Sequence, residues 1–420
     1  MLLSQKKINI NVLFSILCGI WLFALLFLRK WHIFGPVSFR NFAGVIIVPL
    51  AFFMRGHIKI TKTIKLYILW NILYVIVNMI NGMNVLLTND YLAYNIVSFC
   101  IIYAIPKLIR NENHLYIITI WFFIFYILNS VVSILQFVNN PVAWAISTYI
   151  SPLTENDLLQ YSYYEDAENF LTQSICSGFN GFVVTNGYFI ACFLPIATIL
   201  LWQKKKISIN LGILVLLLGM ASAFCTQQRM CFLLCALYIV YIIYYRVSAG
   251  YKAFLFFIGL LFILIYSNSF LFESSSYGRL LSMNANGRSQ TWEMTSMFFT
   301  NTHYFFMGNV GGNINAQEMV RTLGHNCFLD ALRRGGFFSL IIYIVMFLVV
   351  MFELKNVILD SKKRGNLFAL CFAMAALFNI LYSFTHSENI INGSIFFWLS
   401  YTLMLTSLNI NANNRRYIVQ

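Results

Sequence analysis

The sequence predicts an all-α, polytopic membrane protein of about twelve transmembrane helices, with a large exterior loop that carries short helices. Three observations predict it. Hydrophobic residues fill 60% of the 420 positions, charged residues only 10%, and mean hydropathy is +0.74. A soluble chain of this length needs far more polar surface. The apolar residues also come in repeated runs of the length, about 17 to 25 residues, that crosses a bilayer as helix. Finally, the runs are continuous, as in Ile341–Val350, whereas a membrane β-barrel shows alternating segments of about ten residues.

The runs lie near 8–28, 41–54, 66–80, 91–106, 115–138, 183–202, 207–224, 230–245, 253–272, 336–352, 366–384 and 391–409, so residues 1–420 read as a single transmembrane domain. An even number of spans places both termini on one side. Of the 28 basic residues, nineteen fall on that side: Lys6, Lys7, Arg55, Lys59, Lys62, Lys65, Lys107, Arg110, Lys204–Lys206, Arg246, Lys252, Lys355, Lys362–Arg364, Arg415 and Arg416. Nine fall on the other: Arg29, Lys30, Arg40, Arg229, Arg279, Arg288, Arg321, Arg333 and Arg334. The positive-inside rule makes the first set cytoplasmic, with both termini inside. Lys6 and Lys7 precede an apolar stretch with no small-residue cleavage site, so that stretch reads as a retained span.

The net charge of +14 does not point to nucleic acid, because the basic residues sit in short clusters between apolar runs. Seven of the nine cysteines fall in or beside those runs and read as small hydrophobes. Cys176 and Cys327 fall in exterior loops, and whether they pair stays open, since sequence does not set their distance. No CxxC or His-rich cluster suggests a metal, and no cofactor is expected.

Two exterior loops stand out by length. Residues 139–182 hold no Lys or Arg but carry Glu155, Asp157, Glu165, Asp166 and Glu168. Residues 273–335 hold five arginines, two histidines and many Gly and Asn. The spans as drawn contain no Asp, Glu, Lys or Arg, which counts against an ion-coupled transporter. These two loops therefore form the expected active-site region.

Three pieces of sequence carry candidate chemistry. In Gly324-His325-Asn326-Cys327-Phe328-Leu329-Asp330-Ala331-Leu332, the apolar positions Phe328, Leu329 and Leu332 recur at helical spacing. His325 then sits at or near the start of a helix leading into the tenth span, either as a general base near neutrality or as a helix cap. In Gly287-Arg288-Ser289-Gln290-Thr291-Trp292-Glu293, Arg288 opens an amphipathic stretch with Trp292. Its alternative role is to meet lipid headgroups. Thr226-Gln227-Gln228-Arg229 forms a tight exterior turn between spans seven and eight. Arg229 there either snorkels to the surface or presents a planar fork to phosphate.

Taken along the chain, a TxxR turn, a long exterior loop with GRxxxW and then HN before a span, the three pieces resemble the O-antigen ligase and O-antigen polymerase family of bacterial inner-membrane glycosyltransferases. The resemblance covers roughly residues 180–400, including Phe179-Asn180-Gly181-Phe182 before span six and Thr385-His386-Ser387-Glu388 before the last span. Residues 1–140 match only in hydropathy. One departure is Gln228, where the family often has Ser immediately before the arginine. The resemblance implies metal-independent transfer of glycan from undecaprenyl pyrophosphate to an acceptor hydroxyl. Arg229 and Arg288 would steady the pyrophosphate, and His325 would align and deprotonate the acceptor. Asn326, Arg279, Arg321, Trp292, Glu293 and Glu388 are further substrate-binding candidates. Tyr161, Tyr163 and Tyr164 sit among the loop carboxylates, and that loop would either cover the sugar or stay a solvated acidic segment.

The expected reaction is polymerisation of lipid-linked O-antigen or capsular repeat units. The alternative is ligation of finished O-antigen onto lipid A–core, and a lipid-linked oligosaccharide flippase is more remote. The expected partners are the undecaprenyl-pyrophosphate-linked donor, a glycan or lipid A–core acceptor, membrane lipids and a chain-length regulator protein. The expected location is the bacterial inner membrane, with the active face exterior.

Overall fold

The computed structural model describes residues 10–34, 37–54, 59–80, 90–152, 176–181, 183–202, 206–226, 228–246, 302–308, 326–384 and 390–419. In these residues the protein is mostly helical. The helices are α1 (Ile10–Phe27), α2 (Phe39–Phe52), α3 (Lys62–Ile80), α4 (Asp90–Leu108), α5 (Glu112–Phe137), α6 (Pro141–Ile150), α7 (Val183–Ala197), α8 (Lys206–Cys225), α9 (Arg229–Arg246), α10 (Thr302–Met307), α11 (Cys327–Arg364), α12 (Leu367–Tyr382) and α13 (Ile395–Val419). Short 3-10 turns lie at Gly178–Asn180, Ile199–Trp202 and Ile390–Asn392. An antiparallel hairpin of His32–Phe34 and Val37–Ser38 is the one departure from all-α among the described residues.

Helix covers eleven of the twelve apolar runs, and the run at 253–272 lies outside the described residues. Five helical stretches are long and apolar enough to cross a membrane: α3, α5, Thr185–Trp202, Ser208–Cys225 and α11. The protein is therefore membrane-embedded. Shorter apolar helices occupy α1, α2, α4, α9 and α12.

Asparagines start many of these helices. Asn111, Asn140, Asn326 and Asn366 cap α5, α6, α11 and α12, each accepting a first-turn backbone N–H on its side chain. The carboxamide oxygen satisfies donors that the helix itself leaves open. At the other end of α11, Gly365 takes φ +71°, the left-handed C-terminal stop.

The centre of the bundle is α7. Of Thr185–Trp202, 89% is buried, against 28% of the most apolar 18-residue stretch of α11 and 33% of Ser208–Cys225, so α7 has almost no lipid-facing surface while the others do. It packs on α5, α8, α9 and α12. Around it α12 packs on α11 and α13, α3 on α11, and α4 on α2 and α13.

α11 is continuous past residue 352, where the tenth span was expected to end, and so carries Glu353. Glu353 is half-buried and accepts hydrogen bonds from Thr63 Oγ1 (2.7 Å) and from the Tyr401 hydroxyl, joining α3, α11 and α13. The helices are thus not wholly free of ionisable groups. Apolar-run counting stops at the first charge, whereas the backbone ladder does not.

Helix α6 lies inside the long 139–182 segment. Trp31 Nε1 donates to the carbonyls of Ile150 (2.9 Å) and Tyr149 (3.2 Å), fixing its end to the hairpin. Its Val142 and Tyr149 side chains are exposed, the arrangement of a helix bedded in a lipid surface.

Candidate functional site

Two of the nine sequence-predicted site residues, Arg229 and Asn326, fall in the described residues. His325, Arg288, Arg279, Arg321, Trp292, Glu293 and Glu388 lie outside them.

The turn that carries Arg229 is built by Thr226. Its hydroxyl donates to the Ala223 carbonyl at 2.8 Å and accepts from the Gln228 backbone N–H at 3.4 Å. Helix α9 then begins at Arg229, with the Phe232 N–H bonded to the Gln228 carbonyl. Arg229 is exposed, at the electropositive end of an 18-residue helix. The hydroxyl two residues before Gln228 is thus engaged in the turn.

Asn326 plays a different part from the one expected. Its Oδ1 accepts from the backbone N–H of Phe328 (2.9 Å) and Leu329 (3.3 Å). That oxygen serves the cap, a structural role the sequence reading did not assign to Asn326. His325 immediately precedes the cap in the chain.

The segments bearing Arg229 and Asn326 are brought together by the end of α12. Phe328, two residues beyond the cap, packs against Phe384 with ring centroids 5.7 Å apart. Two residues before Phe384, the Tyr382 hydroxyl crowds Gly187 of α7 from one side. Gln228 crowds it from the other: a Cβ there would lie 2.9 Å from Tyr382 Oη and 3.0 Å from Gln228 Cγ. Tyr188 stacks edge-on to Tyr382 (4.9 Å), and its hydroxyl meets Ser394 Oγ at 3.1 Å. Sequence reasoning passes over Gly187 and Tyr382, because a glycine and a tyrosine inside apolar runs carry no chemical pattern of their own.

Just beyond the Asn326 cap lies a buried ionic cluster. Asp330 accepts from Arg333 Nη2 at 2.7 Å and from Arg334 Nε at 2.9 Å, and all three residues are buried. The spacing of an acid with arginines three and four positions later is the readable signal. Helical geometry then breaks at Gly335 and Gly336, where the 302–308 segment crosses. A Cβ on Gly308 would lie 2.5 Å from the Arg333 carbonyl oxygen.

The approach to α7 is held by a third construction. Asn129 Nδ2 donates to Asn186 Oδ1 (2.8 Å), and Asn186 Nδ2 donates to Ser133 Oγ and the Cys176 carbonyl. The backbone N–H groups of Gly178 and Phe179 donate to Gln136 Oε1 (2.9 Å) and Asn129 Oδ1 (2.8 Å). All nine cysteines are free thiols. Cys327 lies beside Tyr343 and Ser383, while Cys176 is hydrogen-bonded to Cys225, so the structure gives Cys176 a different neighbour from the one considered. The Cys225 thiol and burial together push the Cys176 thiol far above the ordinary cysteine range.

Among the described residues no cluster of three or more His, Cys, Asp or Glu has metal-ligand geometry. The chain matches no protein-family model and no curated protein.

Proposed function

We propose that the chain is a membrane glycosyltransferase that polymerises O-antigen or capsular repeat units carried on undecaprenyl pyrophosphate. The observation that carries this reading is the convergence of the Arg229 turn and the Asn326 cap on Tyr382–Phe384, at the end of α12 and just beyond it. Segments far apart in sequence, each bearing one motif of the resemblance, meet at one end of the bundle.

In the proposed reaction the acceptor hydroxyl oxygen attacks the anomeric carbon of the donor. The bond from that carbon to the pyrophosphate oxygen breaks, and the hydroxyl proton passes to His325. Undecaprenyl pyrophosphate leaves with the added negative charge. Arg229, exposed at a helix N-terminus, is suited to hold that anion, since the fork and the helix end attract it together. Arg288 is proposed as its companion. The site lies at the exterior face of a bacterial inner membrane, with both termini cytoplasmic. A chain-length regulator protein is a proposed partner.

The test is deletion of the gene followed by gel separation of the surface glycan. A single repeat unit on lipid A–core is the expected result and marks a lost polymerase. Absence of glycan from core with lipid-linked polymer retained would instead identify a ligase. An unchanged polymer would end the glycosyltransferase reading.

A further inference from the structure

The network at the approach to α7 contains four carboxamide side chains, and three of them are fully engaged. Asn129 and Asn186 bond each other and the backbone or Ser133, and Gln136 bonds Ser177 and Gly178 N. Asn180 is the exception. It is 7% exposed, yet neither its Nδ2 nor its Oδ1 has a hydrogen-bond partner. No other described carboxamide leaves both its nitrogen and its oxygen buried and unbonded.

Its backbone is fixed all the same. Asn180 N donates to the Ser177 carbonyl (3.1 Å), and its own carbonyl accepts from Ser151 Oγ (3.3 Å). Gly178 and Gly181 flank it at φ +54° and +70°. A Cβ would strike Asn129 and Asn186 at the first and Ser151 at the second, so both positions call for glycine. Buried amides left unbonded destabilise a fold, and a leucine of similar size would occupy the place without that cost. A buried, unbonded donor–acceptor pair on a bonded backbone is the state of a group whose partner arrives from outside.

The amide is neutral, and its acceptor oxygen disfavours phosphate. Its geometry suits neighbouring sugar hydroxyls, each of which both donates and accepts. The segment reaches the Arg229 turn through Cys176 with Cys225, and α7, which follows it, meets Gln228 at Gly187. We infer that Asn180 is a carbohydrate-binding residue that reads hydroxyls of the donor glycan while the Arg229 turn takes its diphosphate. This assignment rests on the glycosyltransferase reading above and adds a sugar subsite to it.

The test uses the full chain in lipid nanodiscs with two probes. One is undecaprenyl diphosphate alone; the other is the undecaprenyl-diphosphate-linked glycan extracted from the source cell. Wild type is expected to bind the glycosylated probe more tightly. Asn180→Ala and Asn180→Leu are expected to lose about tenfold on that probe, the scale of a lost neutral hydrogen-bond pair, and to hold the bare lipid as before. Ligand-free Asn180→Leu should melt at or above the wild-type temperature. Retained preference with a lower melting temperature would show an amide satisfied by water alone and overturn the inference. Loss of both probes together would also overturn it, by making Asn180 structural. Equal wild-type binding of the two probes would sink the sugar subsite and leave the glycosyltransferase reading standing. Binding of neither would defeat both.

Discussion

The Gly336 backbone lies directly beneath the Phe306 carbonyl: a Cβ on Gly336 would fall 2.0 Å from that oxygen. Gly336 also holds φ +66°, a conformation that side chains with a Cβ resist. Gly365 has a similar φ of +71° but nothing within 4 Å. The pair separates steric clash from backbone strain. Gly365→Ala should destabilise by about 1 kcal/mol, from conformation alone. Gly336→Ala should exceed about 3 kcal/mol, because strain and a backbone clash add. Thermal melts of the two variants check this, and equal losses would show that the Phe306 contact is not rigid.

Asp330 holds two buried arginines at once. Asp330→Ala should destabilise by about 3 to 5 kcal/mol, since it strands buried positive charge. Replacing the whole cluster, Asp330→Leu with Arg333→Leu and Arg334→Met, should recover much of the loss. A triple variant as unstable as the single one would contradict a charge-burial origin.

For the proposed chemistry, Arg229→Lys keeps the charge but loses the bidentate fork, so transfer should fall in part, and further in Arg229→Ala. The same order is expected for Arg288, which lies outside the described residues. His325→Ala should lower transfer by about 10²- to 10⁴-fold while the protein still folds, with partial rescue as pH rises. The readout is glycan transfer per milligram of folded protein. Wild-type transfer in His325→Ala would assign that histidine to the helix start rather than to the chemistry.

Transfer should continue in EDTA, because arginines are proposed to take the cation's role. Activity abolished by chelation and restored by magnesium or manganese would reject that mechanism.

The uneven distribution of basic residues predicts that reporter fusions at Lys205 and Lys363 read as cytoplasmic. Fusions near Glu165 and Asn313 should read as exterior. A cytoplasmic signal at Asn313 would put the His325 segment in the wrong compartment.

Much of the fold is legible in the sequence, for identifiable reasons. Apolar runs mark α1 to α5 and α7 to α9 because a helix that meets lipid must be apolar over its whole crossing. The Phe328, Leu329 and Leu332 spacing marks the start of α11. The Arg229 turn is legible because the chain has only three residues between Cys225 and Arg229 in which to reverse. Other features are not. Hydropathy cannot tell α7 from α8, since core and lipid both accept apolar side chains, yet 89% of one stretch is buried and only 33% of the other. The site suffers the same blindness: Asn326 reads as a polar candidate, and only its bonds to Phe328 and Leu329 reveal a cap. Tyr382 reads as core, and only its approach to Gly187 places it between two motifs.

The burial of α7 has a consequence for how the chain is made. Its closest partner, α12, begins at Leu367, long after α7 itself has been synthesised. Apolar after Asn186, α7 can enter the bilayer and wait there with lipid around it. Its neighbours must displace those lipids as they arrive, and the last wall goes up only when α12 and then Phe396 of α13, which packs on Tyr188, Phe189 and Phe193, are in place. A chain cut short before Leu367 leaves that centre open on the side of α12 and α13, so the last two helices to be made are the ones that close the assembly.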